Sequence, residues 1–162
     1  MRAYNKQVKT ATLLVVALAI IPVMAQAATH YWPLYKEARA GNTQAARQVI
    51  QAARAGHRPE QYYAGLLYYH GWGGVSQNYA KAVYWFRKAA KQGSVGAEDN
   101  MGLLYARGQG VPQSFTKANF WWRKAAAQGS AEARYNLAVD YAHGWGVPQR
   151  HTADEALTPA NN

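Results

Sequence analysis

The sequence AVYWFRKAAKQGS at residues 82–94 recurs at residues 118–130 as ANFWWRKAAAQGS, with nine of the 13 positions identical. The second copy follows the first at an offset of 36 residues. The flanking sequence repeats as well, since Gly-Leu-Leu-Tyr at 65–68 returns at 102–105. A fixed period of this length indicates stacked structural repeats, an architecture used mainly as a binding surface.

Each repeat is predicted to contain two helices joined by a glycine-rich loop. In the clearest copy, Ala97, Met101 and Leu104 follow the spacing of one helical face, and Gly108 stands where a left-handed residue ends a helix. The pattern predicts helices near 31–40, 43–55, 59–70, 78–92, 95–107, 114–128 and 131–143. We therefore expect an all-α fold, a solenoid of about three to four stacked helix-turn-helix repeats.

Short polar residues stand at the predicted starts of four helices. A side-chain oxygen at this position accepts a hydrogen bond from a free backbone N–H, so we expect each residue to be an N-cap. These residues are Asn78, Ser94, Ser114 and Ser130.

The first 27 residues are expected to be a secretory signal peptide. They begin with basic residues, continue with an apolar run at 11–25 and end in a small-x-small site at Ala27. The alternative is a membrane anchor, which needs about 20 apolar residues, whereas this run is shorter and interrupted by Pro22. We expect cleavage after Ala27 and a periplasmic or secreted protein with no transmembrane segment after cleavage.

Three segments divide the chain, namely the signal peptide at 1–27, the repeat solenoid at 28–157 and a flexible C-terminal end at 158–162. The solenoid is predicted to hold four units, of which the first is degenerate and the last truncated. Their bounds are 28–56, 57–93, 94–129 and 130–157.

Three motifs carry a family resemblance. Gly-Leu-Leu-Tyr, the loop Gly-x-Gly-Val-Pro-Gln and Ala-x-x-Trp-x-x-Lys-Ala-Ala-x-Gln-Gly resemble the Sel-one-like repeat (SLR), a relative of the tetratricopeptide repeat, well over 57–149 and weakly over 31–56. The resemblance implies a right-handed α-solenoid that serves as a protein-interaction adaptor, in many bacterial members within the cell envelope. One disulfide-rich SLR subfamily is linked to β-lactam binding. This chain has no Cys, so that activity is not carried over.

The sequence contains no arrangement typical of a catalytic or metal site. The glycines at 71–74 follow a predicted helix, whereas a phosphate-binding loop follows a strand. His70 and His143 stand two repeats apart, too far for a shared metal ion when packed helices are about 8–10 Å apart. Glu98 and Asp99 diverge on a helix, unlike the paired carboxylates of a glycosidase. We therefore predict no enzyme activity, no cofactor and no metal.

Basic residues exceed acidic ones, with 18 Lys and Arg against eight Asp and Glu. Several stand in the last turns of the predicted second helices, namely Arg87, Lys88, Lys91, Arg123 and Lys124. Cations there complement the helix dipole, which is consistent with a solvated face. The alternative is a stripe that binds an anionic partner, either an acidic protein, a phospholipid head group or a cell-wall polymer. Nucleic acid is disfavoured because export is expected.

Two tryptophans depart from the repeat pattern. Trp72 and Trp145 stand in the glycine-rich loops, at the place that Gln109 occupies in the middle repeat. An exposed aromatic side chain of this kind often anchors a partner. The alternative is a ring that folds back over the ends of its own helices.

Asp140 departs from the pattern in a different way, because its equivalents are Leu67 and Leu104. A buried acid at an apolar position needs a partner. The simpler interpretation is that no complete neighbouring unit covers this position in the truncated last repeat. A ligand-binding carboxylate is the alternative.

The sequence thus favours an exported protein-interaction adaptor of the bacterial cell envelope. Its expected partner is a protein, acidic or envelope-associated, with peripheral contact to an anionic membrane or cell wall as a further option. The alternative function is a receptor or enzyme that acts on cell-wall glycan or peptide through exposed aromatic residues such as Trp72 and Trp145.

Overall fold

A computed structural model of the protein describes residues 32–146, which form seven helices and no strand. Residues 32–39 form α1. The other six are α2 (Thr43–Arg54), α3 (Arg58–His70), α4 (Tyr79–Lys91), α5 (Val95–Arg107), α6 (Phe115–Ala127) and α7 (Ala131–Ala142). All seven predicted helices occur, and from α2 onwards each end agrees with its prediction to within one residue.

Some predictions lie outside the described residues. They concern the signal peptide, the flexible C-terminal end and the part of the truncated last unit beyond residue 146. Between residues 32 and 146, none of the helices combines the length and apolar character needed to cross a membrane.

Each helix packs against the next along the chain, as expected for a solenoid. α3 also contacts α5 directly, where the Tyr62 ring lies against Gly96 and the Arg107 guanidinium donates to the Tyr69 hydroxyl. Because elements on the inner side of a curved stack lie closer together, we assign α3 and α5 to the inner side. α4 and α6 then form the outer side, where their polar faces meet solvent.

A glycine facing an aromatic ring holds the two helices of a repeat together. Phe86 is fully buried, and its equivalent Trp122 is 3% exposed. A Cβ atom at Gly65 would lie 2.5 Å from the Phe86 ring, and one at Gly102 would lie 2.3 Å from the Trp122 indole nitrogen. The repeated glycine of Gly-Leu-Leu-Tyr therefore lets a large ring reach the backbone of the neighbouring helix.

Three of the four predicted N-caps are confirmed. The side chains of Asn78, Ser114 and Ser130 accept hydrogen bonds from the backbone N–H groups of Lys81, Lys117 and Ala133, respectively.

Ser94 stands at the predicted N-cap position, but the expected capping hydrogen bond of its side chain is absent. The Ser130 hydroxyl donates to Asp99 Oδ2 at 2.8 Å, which aims its oxygen at the helix. The residue equivalent to Asp99 in the preceding repeat is Tyr62, so Ser94 lacks this acceptor.

A glutamine closes each complete repeat at the end remote from the loop. Gln92 follows α4 and donates to Gln61 Oε1 at 2.8 Å, near the start of α3. Its equivalent Gln128 follows α6 and donates to Glu98 Oε2 at 2.6 Å, near the start of α5. The hydrogen-bond acceptor is thus neutral at position 61 and negatively charged at position 98. This difference affects the lysines on the outer surface.

Candidate binding surface

The outer stripe of α4 combines three cations with an exposed aromatic ring. Arg87, Lys88 and Lys91 are exposed, and Tyr84 is 51% exposed. These four side chains surround a shallow trough of about 250 Å³ that is also lined by Ala80 and Val83. Val83 is buried, so it forms part of the floor. We call this feature the α4 trough.

Aromatic rings hold one of these cations in place. The Lys88 ammonium lies 4.8 Å from the centroid of Tyr84 and 5.7 Å from that of Trp85. The edge of one ring meets the face of the other, with an interplanar angle of 79°. A cation over an aromatic face gains about 0.5–1 kcal/mol at an exposed site, so this position is favoured before any partner arrives.

The same stripe recurs on α6 with less free charge. Phe120 is 51% exposed at the place of Tyr84, and Arg123 is exposed like Arg87. Lys124, the equivalent of Lys88, forms an ion pair in which its Nζ atom lies 3.1 Å from Glu98 Oε1. The equivalent of Lys91 is Ala127. The five predicted basic residues therefore differ between the two helices. The three on α4 form no ion pair with an acid of the described residues, whereas on α6 Lys124 is paired and only Arg123 is not.

One residue in each inner helix accounts for this division. Glu98 is 1% exposed, and its carboxylate is satisfied by Lys124 and Gln128 together. A buried carboxylate needs such partners because the loss of hydration is costly. The equivalent Gln61 is neutral, so nothing at that position pairs with Lys88.

Replacing Lys124 with methionine is expected to lower the free energy of unfolding by about 1–2 kcal/mol more than replacing Lys88 with methionine. The Lys124 side chain is 44% exposed, so solvent screens part of the loss that a fully buried pair would show. Both lysines lie over aromatic rings, and the comparison therefore isolates the ion pair. Urea denaturation followed by circular dichroism measures the difference, and equal losses would contradict a stabilising role of the pair.

Trp72 is half-buried and folds back over the ends of its helices. Its ring stacks on His70, with centroids 3.9 Å apart, and the Arg39 guanidinium carbon lies 4.9 Å from its centroid. Burial lowers the pKa of His70, and the Arg39 charge lowers it further. Little of the Trp72 ring is thus left for a partner.

Trp145 also folds back but stays 43% exposed. Its ring stacks on His143 and Phe115, with centroid distances of 4.5 and 4.9 Å. Its carbonyl accepts a hydrogen bond from Asn119 Nδ2 at 2.9 Å. A role for either tryptophan in binding a partner stays a prediction.

The tryptophans and the free cations do not form one site. Trp72 lies in the loop before α4, whereas Arg87 lies eight residues beyond the first residue of that helix, about 12 Å along its axis. The candidate binding surface is therefore the outer stripe of α4 and α6. Among residues 32–146, no group of three or more side chains suited to a metal ion occurs.

Sequence analysis missed the aromatic component of this surface. Tyr84 and Phe120 occupy equivalent positions next to the motif tryptophans, so the repeat contained the signal. The helical spacing of the buried residues Ala82, Trp85 and Phe86 leaves Tyr84 outside the packed face.

Asp140 is buried, at 4% exposure, so the interpretation that no neighbour covers it is wrong. Its Oδ2 atom has no hydrogen-bond partner. Burial raises the pKa of Asp140, and His143 acts in the opposite direction. A core acid with one unpartnered oxygen costs stability.

Replacing Asp140 with leucine, the residue at positions 67 and 104, is expected to stabilise the fold by about 1–2 kcal/mol at neutral pH. A raised pKa means that the folded state holds the proton more tightly than the unfolded state. Stability should therefore fall as the pH rises from about 4, the ordinary carboxyl range, through the folded-state pKa.

Asp140→Asn removes this titration and serves as the control. Denaturation curves at a series of pH values should show its advantage over the natural chain growing with pH. An advantage that is independent of pH would contradict this account.

The comparison with protein families identifies the repeats. The Sel1 repeat family model matches residues 61–94, 96–130 and 131–155, which together make up more than half of the chain. A curated relative, the ERAD-associated E3 ubiquitin-protein ligase component HRD3A of Arabidopsis thaliana, is 36% identical over 62 residues. That match covers 38% of this chain and 9% of the plant protein.

Two solved structures share the fold. A protective antigen of uropathogenic Escherichia coli strains, which displays an SLR fold, has 36% identity and a TM-score of 0.63 over 65% of this chain and 22% of the antigen. A Sel1 repeat protein from Oxalobacter formigenes has 32% identity and a TM-score of 0.65 over 72% of this chain and 47% of that protein. The chain thus spans less than half of each relative, and the expected all-α solenoid is confirmed.

Proposed function

Because this chain belongs to the Sel1 repeat family, whose members mediate protein–protein interaction, we propose that it is an exported interaction module of the bacterial cell envelope. It holds an acidic or envelope-associated partner protein on its repeat surface and carries out no catalysis itself. The observation that carries the proposal is the outer stripe of α4, where Tyr84 is half exposed and the exposed cations form no ion pair with an acid of residues 32–146.

The proposed export rests on the first 27 residues, which have the basic start, apolar run and small-residue site of a signal peptide. Alkaline phosphatase, which needs an oxidising compartment for its disulfides, provides the test. A fusion after residue 40 should be active in cells, and charged substitutions in the apolar run at 11–25 should abolish that activity. An inactive fusion that accumulates in the cytoplasm would overturn the proposed location.

Site-specific crosslinking tests the proposed interaction. A photoreactive phenylalanine analogue at position 84 should capture a partner protein in living cells. The same analogue at Tyr135, which is 71% exposed on α7, is the matched control because it is more accessible than position 84 but lies away from the outer stripe. Capture at neither position, or equal capture at both, would argue against a partner bound on α4.

The alternative of a glycan receptor is not advanced. Binding of a sugar by Trp72 needs a free ring face, and His70 and Arg39 lie against this ring. Trp145 has more exposed surface, but His143 and Phe115 stack on its ring.

A further inference from the structure

We propose that the α4 trough binds an acidic segment of the partner protein, with one apolar side chain of that segment placed against Tyr84. The inference rests on the proposed function and assigns it a place and a chemistry. The trough runs along α4 from Ala80 to Lys91, which is about 16 Å at the rise of a helix. This length suits a short segment of a chain rather than a whole domain.

The charges that line the trough indicate that the bound segment is acidic. The lining contains three cations and no acid, so its field attracts negative charge. In the α6 copy, Glu98 already pairs with the equivalent lysine. At the α4 copy Gln61 leaves Lys88 without such a carboxylate, and an incoming Asp or Glu side chain can take that role.

The shape of the trough indicates that the segment also places an apolar side chain in it. Ala80 and Val83 provide a short apolar floor, and Tyr84 stands beside them half exposed. Small-molecule pockets usually have about 300–1,000 Å³, and the trough is smaller at about 250 Å³. It therefore has room for a single side chain, and aromatic residues are typical anchors in protein interfaces.

A membrane surface fits these features less well than a protein segment. Electrostatic binding to anionic lipid typically uses a cluster of about four to eight Lys and Arg side chains. Here α4 carries three exposed cations and α6 only Arg123 unpaired, because Lys124 is paired and Ala127 replaces a lysine. A recess between the cations also has no role against a layer of head groups.

The test uses the protein purified from its producing cells. The probe is a fluorescein-labelled 12-residue peptide of glutamates with one central phenylalanine, and fluorescence anisotropy measures its binding. The double variant Arg87→Ala/Lys91→Ala should lose about tenfold in affinity, and Tyr84→Ala about threefold. The matched control Arg123→Ala/Lys124→Met, on α6, should change affinity by no more than about twofold.

A substitution away from the trough tests the charge argument. Gln61→Glu copies the arrangement around Glu98 and should pair with Lys88, which lowers the affinity about threefold without any change in the lining. Glu98→Gln is the reverse exchange and should free Lys124, which raises the affinity. Circular dichroism checks the fold of each variant. If the double alanine variant does not fold, Arg87→Gln or Lys91→Gln replaces it.

Several results would overturn the inference. They are equal losses in the α4 and α6 variants, no loss in the α4 variant, or binding to phosphatidylglycerol vesicles that exceeds peptide binding and depends on the same residues. Failure here remains distinct from failure of the proposed function. If position 84 crosslinks a protein while the acidic probe does not bind, the interaction stands and the assigned chemistry is wrong.

Discussion

Replacing Phe86 with alanine is expected to lower the free energy of unfolding by about 3–5 kcal/mol. The ring is fully buried between the helices of its repeat and lies near Tyr62 and Tyr69, with centroid distances of 5.9 and 6.5 Å. Its removal leaves a cavity against Gly65, which has no side chain to fill it. Since whole domains are stable by only about 5–15 kcal/mol, a large part of the stability is lost.

Tyr84→Ala is the control for this experiment, because it removes a large ring from the same helix at a half-exposed position. Its effect on stability should stay below about 1 kcal/mol. Urea denaturation of both variants gives the comparison, and Phe86→Leu provides a milder variant if the alanine variant does not fold. Similar effects at positions 84 and 86 would mean that the repeat core is not centred on Phe86.

The second large effect is expected at Gly110, where alanine should cost about 2–4 kcal/mol. Gly110 has a φ of 71°, which L-residues adopt at a cost. A Cβ atom there would also lie 2.5 Å from the carbonyl carbon of Tyr79 and 2.7 Å from the amide nitrogen of Ala80. These are backbone atoms at the start of α4, so the clash can be relieved only by moving one repeat against the next.

Gly93→Ala separates the two contributions. Its φ of 77° is close to that of Gly110, but a Cβ atom there meets nothing within 4 Å. It should therefore show only the cost of the backbone conformation, about 1–2 kcal/mol. Thermal denaturation of both variants measures the difference, and equal losses would show that the loop gives way without strain between the repeats.

The fold was predictable from sequence because its determinants are local and occur more than once. Gly71 and Gly108 end their helices with φ values of 74° and 66°, and each stands at the same place in its repeat. A helix boundary that is ambiguous in one repeat is therefore fixed by the equivalent residues of the others. Ser94 shows the limit of prediction from local sequence. It stands at the start of its helix but makes no capping bond, and the acceptor that orients Ser130 has no equivalent at position 62 on the preceding helix pair.

The candidate surface was predictable only in part. The basic residues were visible in the repeated sequence, but whether each one is paired with an acid depends on contacts between helices. Lys124 is paired because Glu98 of the neighbouring helix α5 approaches it. The two residues are too far apart in the sequence for a local pattern to show this contact. The burial of Asp140 was missed for the same reason, since coverage by neighbouring elements is a property of the assembled stack.

The exchange of Gln61 for Glu98 between otherwise similar repeats has a consequence for how such a chain diversifies. Duplication of a unit copies its scaffold and its outer stripe together. A single glutamate on the inner helix then ties down the lysine of the new stripe, while every packing residue is retained. Under the proposed binding mode, a copied unit keeps its structural role and is silenced as a binding element by one substitution. The reverse substitution would restore it, without any change in the surface residues themselves.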